Sequence, residues 1–121
     1  AHMAFCLGTL NEERQDMKLA IKYYKWLYFC ARIIEDPVGA ALALNRLGVA
    51  FHKIQNFEKS LLFHLKHLDQ TEKDQKFASF YNIGISYRLL GNYEKSQEFF
   101  LKALEQGWLL KEMDSEAFSY G

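Results

Sequence analysis

The side chains that could perform catalysis or bind a metal ion are few in this chain. His64 and His67 lie three residues apart, which places both imidazoles on one face of a helix. Two histidines without a third ligand nearby in the sequence make an incomplete metal site, because zinc takes four ligands. We therefore interpret them as satisfied structural histidines and predict no metal. Because no glycine-rich phosphate loop, nucleophile elbow or paired Cys/His signature is present, we also predict no cofactor and no enzymatic activity.

The composition narrows the class of protein further. Cys6 and Cys30 are too few for a disulfide framework or a metal site, and we interpret both as reduced packing thiols. The 15 acidic and 15 basic residues cancel, which argues against a dedicated nucleic-acid or membrane-surface binder. No stretch approaches the roughly 18 apolar residues of a membrane span, and residues 3–7 lack the basic flank of a secretory signal. We expect a cytoplasmic protein.

One stretch of the sequence recurs and must organise the fold. Leu44–Glu58 reappears as Phe80–Glu94: each copy has a bulky apolar residue, then Leu or Ile followed by Gly, then an aromatic residue, and then a turn before Phe/Tyr-Glu. Leu7-Gly8 is a third copy, and Tyr120-Gly121 looks like the start of a fourth. The glycines are separated by 40, 36 and 37 residues. The chain is therefore predicted to be a repeat array.

The spacing inside each complete copy is constant. The turn residue, Asp or Asn, follows the glycine by eight residues, and a small residue follows four later; the small residues are Ala20, Ser60 and Ser96. A glycine inside a helix costs about 1 kcal/mol relative to alanine, so we expect Gly48 and Gly84 to permit close approach of the neighbouring helix. The small residues would do the same from the opposite helix.

The sequence predicts an all-α fold, because it contains one proline and no alternating run rich in Val, Ile and Thr. Residues 1–3 look like a cloning remnant. We predict one array over residues 4–121, with repeats at about 4–36, 37–74 and 75–110 and the start of a further helix at about 111–121. The predicted helices are 5–14, 17–35, 38–54, 57–70, 75–90 and 93–106, with Gly107 closing the last of them.

These markers resemble the tetratricopeptide repeat, a helix-turn-helix unit with an aromatic residue, a Leu-Gly pair and a tyrosine at this spacing. The segment 63–68 and the long repeat steps look more narrowly like the Pins-type spindle-orientation adaptors and the kinesin light chains. The resemblance implies an α-solenoid of about three repeats with incomplete ends. It also implies a non-enzymatic scaffold or adaptor that holds a peptide or partner helix in its concave face, with a cytoskeletal or ciliary association as a family-level expectation.

Departures from the family pattern limit which binding modes of the family can be expected for this chain. The asparagine that Pins-type repeats often place after the Leu-Gly pair is replaced by Thr9, Val49 and Ile85. The lysine and asparagine pattern of the carboxylate clamp in chaperone-binding members is also missing. We therefore expect neither of these two particular binding modes.

The first helices of successive repeats should line the concave face, and their residues that are not used in packing should form a binding groove. The predicted groove residues are Asn45, Arg46, Val49, His52, Lys53, Tyr81, Asn82, Ile85, Arg88, Leu89, Phe118 and Ser119. The cationic side chains predict a positive potential, and the asparagine amides suit the backbone of a partner. We expect capture of an acidic segment with one or two apolar anchors, which would meet Val49, Tyr81 and Ile85. The alternative is that these are solvated surface charges.

Two further apolar surfaces leave alternatives open. The second helix carries five aromatic residues, which either pack within the chain or meet another repeat or protein; they are Tyr23, Tyr24, Trp26, Tyr28 and Phe29. Apolar residues also lie near both ends of the chain: Phe5, Leu7, Leu109, Leu110 and Phe118. The alternative function is a structural subunit or fragment that stacks within a larger assembly or forms a homo-oligomer through its incomplete ends.

Overall fold

The computed structural model describes residues 2–71 and 76–114, with side chains described as far as Gly107. Within these ranges the chain is all-α and contains no strand, as predicted. The helices are α1 (His2–Glu13), α2 (Met17–Ile33), α3 (Pro37–Lys53), α4 (Phe57–Asp69), α5 (Phe77–Leu89) and α6 (Tyr93–Asp114). None of the helices in these ranges combines the length and apolar character needed to cross a lipid bilayer.

A left-handed residue precedes four of the helices. These residues are Gln15 (φ 64°), Glu35 (φ 56°), Gln55 (φ 65°) and Gly91 (φ 87°). Left-handed backbone reverses the chain direction within one or two residues, which explains why consecutive helices pack against each other. Glycine adopts this conformation without steric cost, so Gly91 suits its position in the turn.

The residue after each left-handed position caps the helix that follows. Its side-chain oxygen accepts a hydrogen bond from a backbone N–H three residues later, which satisfies one of the free donors of the first turn. The four pairs are Asp16 with Leu19, Asp36 with Gly39, Asn56 with Lys59, and Asn92 with Lys95. Pro37 occupies the first turn of α3, where its missing N–H costs nothing. The turn positions read from the sequence are therefore confirmed.

The chain divides into two compact units, Ala1–Thr71 and Glu72–Gly121. The first contains α1 to α4, and each of these helices packs against the next. Its main cluster joins α2 to α3 through Ala20, Ile21, Tyr24, Leu47, Ala50 and Phe51. A smaller cluster joins α1, α2 and α3 through Ala4, Leu27 and Ala43. The prediction of one array divided into repeats over residues 4–121 stays a prediction.

The second unit packs α5 against α6. Ile83 and Ala103 are buried, and the Phe99 ring lies between the rings of Phe80 and Tyr87, with centroids 6.2 and 5.7 Å away. These apolar contacts recur three to four residues apart on both helices, as the periodicity of a buried helical face requires.

The first five helices begin and end within three residues of the predicted bounds. The prediction that Gly107 ends the sixth is wrong, because α6 continues to Asp114. Gly107 instead faces the neighbouring helix: a methyl group added there would lie 3.1 Å from Cε2 of Phe77. The predicted separate helix from about residue 111 is accordingly wrong as far as Asp114. Its remainder, from residue 115, lies outside the described residues.

Candidate functional site

The predicted groove residues of the second repeat lie along one side of α3. Asn45, Arg46, Val49 and His52 are half-buried, and Lys53 is exposed. The side-chain amide of Asn45 has no hydrogen-bond partner among the described residues. These side chains therefore surround the α3 core face, as the sequence pattern requires, while leaving polar atoms available at the surface.

Glu12 of α1 binds side chains of both α2 and α3. Its carboxylate accepts a hydrogen bond of 2.7 Å from the Tyr24 hydroxyl and forms an ion pair with the Lys53 ammonium group. Burial by itself raises the pKa of the Glu12 carboxyl. The hydrogen bonds from Lys53 and Tyr24, together with the charges of Lys53 and Arg46, have a larger opposite effect, so the net pKa is lowered. Burial and the contact with Glu12 raise the pKa of Tyr24.

A cleft of about 180 Å³ lies between α1 and α3, lined by Thr9, Glu12, Glu13, Arg46 and Lys53. Two carboxylates and two cationic side chains line it, so its charges balance. The prediction of positive potential is therefore wrong for this part of the surface.

Sequence reasoning missed the α1 side of this cleft. Thr9, Glu12 and Glu13 precede Val49, His52 and Lys53 by 40 residues, the step between the first two repeat glycines. Extending the groove positions back by one repeat would have found all three residues.

The predicted groove residues of the third repeat lie on α5, in the second unit. Tyr81 is 49% exposed, and its ring lies 6.4 Å from that of Phe77 and 6.0 Å from that of Phe100. Asn82 and Ile85 are half-buried, whereas Arg88 and Leu89 are exposed. Like Asn45, Asn82 has no side-chain hydrogen bond among the described residues. Phe118 and Ser119 lie outside the described residues.

His64 is a packing residue, as predicted, but it is not satisfied. It is 3% exposed, and no hydrogen-bond partner for its Nδ1 atom occurs among the described residues. Burial, with smaller contributions from the charges of His67 and His52, lowers the pKa of His64 to about 4. Burial also lowers the pKa of His67. No group of three or more His, Cys, Asp or Glu side chains able to hold a metal ion lies within the described ranges.

The five aromatic residues of α2 differ in burial, and two of them, Tyr23 and Tyr28, are half-buried. Tyr24 is fully buried, so ordinary packing accounts for it. Trp26 and Phe29 are 61% and 58% exposed and lie next to each other, with ring centroids 6.2 Å apart. Intramolecular packing therefore does not account for these two side chains.

Both cysteines are free. Cys30 is half-buried, but Cys6 is exposed, so the prediction of a packing role is wrong for Cys6. Of the apolar residues near the ends of the chain, Phe5 is half-buried and Leu7 is 39% exposed. The side chains of Leu109, Leu110 and Phe118 lie outside those described, and association through these residues stays a prediction.

Comparison with known proteins identifies the repeat. Family models described as tetratricopeptide repeat match residues 43–77 and 77–106. The chain is also similar to the crystal structure of the TPR domain of Arabidopsis FLU, with a TM-score of 0.79 and 18% sequence identity, over 86% of this chain and 91% of that one. At this identity the likeness shows a shared fold. The comparison with curated protein sequences found no match. The closer likeness to Pins-type adaptors and kinesin light chains stays a prediction.

Proposed function

Because the chain belongs to the tetratricopeptide repeat family, whose fold serves in general as a protein-interaction module, we propose that it is a non-enzymatic scaffold or adaptor. Its proposed partner is a protein segment, either an extended peptide or a helix. The proposed contact residues on α3 are Asn45, Arg46, Val49 and His52. Those on α5 are Tyr81, Asn82, Ile85 and Arg88. We further propose a cytoplasmic location.

The observation that carries this proposal is the pair Asn45 and Asn82. They lie in the middle of the first helices of two successive repeats, three residues before Gly48 and two before Gly84, and both are half-buried. The helix-capping asparagines, Asn56 and Asn92, bind backbone groups of this chain, whereas the side-chain amides of Asn45 and Asn82 bind none among the described residues. An amide can donate and accept at once, so each is suited to one peptide group of a partner backbone.

The charges of the α1–α3 cleft refine the expected partner. Because Glu12 neutralises Lys53 and lies close to Arg46, a run of acidic residues would gain little there. We therefore propose that the segment bound against this cleft carries both charge signs. The apolar anchors of the partner would contact Val49 on α3 and Tyr81 or Ile85 on α5, whose side chains are half-buried or exposed.

The test uses partners captured on the immobilised protein, identified by mass spectrometry and then titrated in purified form. Asn45→Ala combined with Asn82→Ala should weaken binding about tenfold or more, because each lost hydrogen bond to a buried peptide group costs about 1 kcal/mol. Arg46→Glu combined with Arg88→Glu should weaken it further. Both variants should keep the circular dichroism of the wild type, since none of the four residues belongs to the buried core. The arginine variant should melt at a slightly lower temperature, because Arg46→Glu replaces a positive charge near the Glu12 carboxylate by a negative one.

The matched control is Gln97→Ala combined with Lys95→Glu, which changes exposed residues of α6 in the second unit. This variant should bind every partner as the wild type does. A partner that binds the double asparagine variant and the double arginine variant as tightly as it binds the control would contradict the proposed contact residues.

A further inference from the structure

The exposed side of α2 has the features of a second binding surface. Its residues Lys18, Ile21, Lys22, Lys25, Trp26 and Phe29 line an open depression of about 470 Å³, and we call this set the α2 surface. A second depression of about 340 Å³ shares Lys22 and Trp26 with it and continues over Met3, Ala4 and Leu7 of α1. We propose that the α2 surface binds an acidic amphipathic helix of a partner protein.

The exposed aromatic residues provide the apolar part of this surface. Trp26 and Phe29 are 61% and 58% exposed, and Leu7, which lines the second depression with Trp26, is 39% exposed. Large aromatic side chains are enriched among the residues that dominate binding energy at protein interfaces. Trp26 lines both depressions and Phe29 lines the first, so an incoming apolar side chain can lose its contact with water beside these rings.

The charges of α2 indicate that the partner is negatively charged. The helix carries Lys18, Lys22, Lys25 and Arg32 and no acidic residue between Met17 and Ile33, although the whole chain has no net charge. No acidic side chain lines either depression. Within the described ranges none of the three lysines forms an ion pair, in contrast to Lys53. Lys25 lies over the Phe51 ring, with its Nζ atom 5.9 Å from the ring centroid, but none of the three charges is neutralised, so all three can attract carboxylates of a partner.

The spacing of the lysines gives the shape of the partner. Residues 18, 22 and 25 follow one another by four and three positions, which aligns them along one side of α2 over roughly 10 Å. A partner helix with carboxylates at the same spacing could face all three lysines. One large apolar residue of the partner, about one helical turn from the last carboxylate, would then contact Trp26 and Phe29. Helix-in-groove recognition uses this arrangement of anchors.

Two other occupants fit these observations less well. A second copy would oppose the cationic α2 surface to itself, and like charges across an interface are unfavourable. Single-stranded nucleic acid would stack on aromatic rings along a continuous cationic groove, but here aliphatic side chains of α1 form half of the lining of the adjoining depression, and Lys22 is its one cationic residue. The acidic helix is therefore the occupant that the charge and the apolar lining favour together.

The test measures binding of a fluorescein-labelled synthetic helix with glutamates at four- and three-residue spacing and one leucine a turn beyond. A control peptide has glutamine in place of each glutamate. The wild-type protein should bind the acidic peptide at least about tenfold more tightly than the glutamine peptide, and the affinity should fall as salt is raised, because exposed charges are screened.

Variants of the protein assign the binding to this surface. Lys18→Glu combined with Lys22→Glu should weaken binding of the acidic peptide by about tenfold or more, and Trp26→Ala should do the same, with circular dichroism unchanged in both. The matched control, Lys95→Glu combined with Lys102→Glu, makes the same change of charge on exposed residues of α6 and should change the affinity less than about twofold. Arg46→Glu should also have no effect, which separates this surface from the one in the proposed function.

Several results would overturn the proposal. One is the absence of binding up to a protein concentration of about 200 µM. Another is an equal loss of affinity in the α2 and α6 variants. The third is equal affinity for the acidic peptide and the glutamine peptide. Tighter binding of a labelled thymidine oligonucleotide, lost in the Lys18→Glu and Lys22→Glu variant, would assign the surface to nucleic acid. A dimer in sedimentation that Trp26→Ala abolishes would assign it to a second copy.

Discussion

The hydroxyl of Ser60 on α4 donates a hydrogen bond of 2.7 Å to the backbone carbonyl oxygen of Gly48 in the middle of α3. Ser96 and Gly84 repeat this contact at 2.8 Å between α6 and α5. Both serines are buried, and both glycines lack the side chain that would keep the helices apart. The glycine and the small residue twelve positions later therefore form one contact between the two helices of a repeat.

A ring four residues after the small residue completes this contact. A methyl group added at Gly48 would lie 2.5 Å from His64 Cε1, and one added at Gly84 would lie 2.7 Å from Phe100 Cδ1. Gly48→Ala should therefore destabilise the protein by about 1–3 kcal/mol, because the close helix contact would be overpacked. Thermal or urea unfolding measures this loss.

A double variant shows whether the His64 ring causes the loss of stability in Gly48→Ala. Adding His64→Ala to Gly48→Ala creates space for the new methyl group, so the two changes together should cost less than the sum of their separate costs. Lys66→Ala, on the exposed side of α4, is the control and should change the free energy of unfolding by less than about 0.5 kcal/mol. Strict additivity of the two substitutions would show that the ring does not restrict Gly48.

The buried His64 should make the protein sensitive to acid. The pKa of His64 lies at about 4 in the folded chain, below its ordinary value of 6.5. The unfolded chain therefore binds the proton first, and the stability contributed by neutral His64 is complete above about pH 6.5 and is lost as the pH falls towards 4. At about 1.4 kcal/mol per pKa unit, the loss would approach roughly 3 kcal/mol.

His64→Phe is the matched variant, because phenylalanine occupies the equivalent position as Phe100. Unfolding free energies of both proteins should be measured from pH 7 to pH 4. The wild type should lose more stability than the variant over this range, and the remaining loss in the variant would come from other groups such as His67. Parallel pH curves for the two proteins would show that His64 does not carry the effect.

The hydrogen bond from Tyr24 to Glu12 should contribute to stability. Tyr24→Phe keeps the buried ring but removes the donor to a carboxylate whose pKa is lowered in the fold. We expect a loss of about 1–2 kcal/mol at neutral pH, since hydrogen bonds to charged groups contribute more than neutral ones. Tyr23→Phe, at a half-buried position of the same helix, should cost less than about 0.5 kcal/mol. Equal effects of the two substitutions in urea unfolding would exclude the role of Glu12.

The left-handed residue Gln55 should be a site for stabilisation. Its φ of 65° is disfavoured for a residue with a Cβ atom, whereas Gly91 occupies the equivalent position with φ 87° and no such penalty. Gln55→Gly should therefore raise the free energy of unfolding by about 0.5–1 kcal/mol. The reciprocal change, Gly91→Gln, should lower it by a similar amount. Melting curves in which both substitutions destabilise would show that the turn conformation is not the controlling factor.

Much of the fold could be predicted because local spacing carries it. The interval of eight residues from Gly48 to Asn56 predicted the turn before α4, and the small residue four positions later, Ser60, predicted the close contact between the two helices. The end of α6 was predicted incorrectly because Gly107 was read as a helix stop. A glycine inside a helix and a glycine after it look alike in sequence, and only the position of the Phe77 ring shows which applies here.

The sequence by itself determined the helices, the turns and the repeat, because each depends on residues a few positions apart. Tertiary structure decided which charges oppose one another. Glu12 and Lys53 are 41 residues apart, and they form an ion pair because α1 and α3 bring them together. Local periodicity also could not separate Tyr24, which is buried, from Trp26, which is exposed two residues later on the same helix. Burial depends on which neighbouring helix covers each side chain, and distant parts of the chain supply that neighbour.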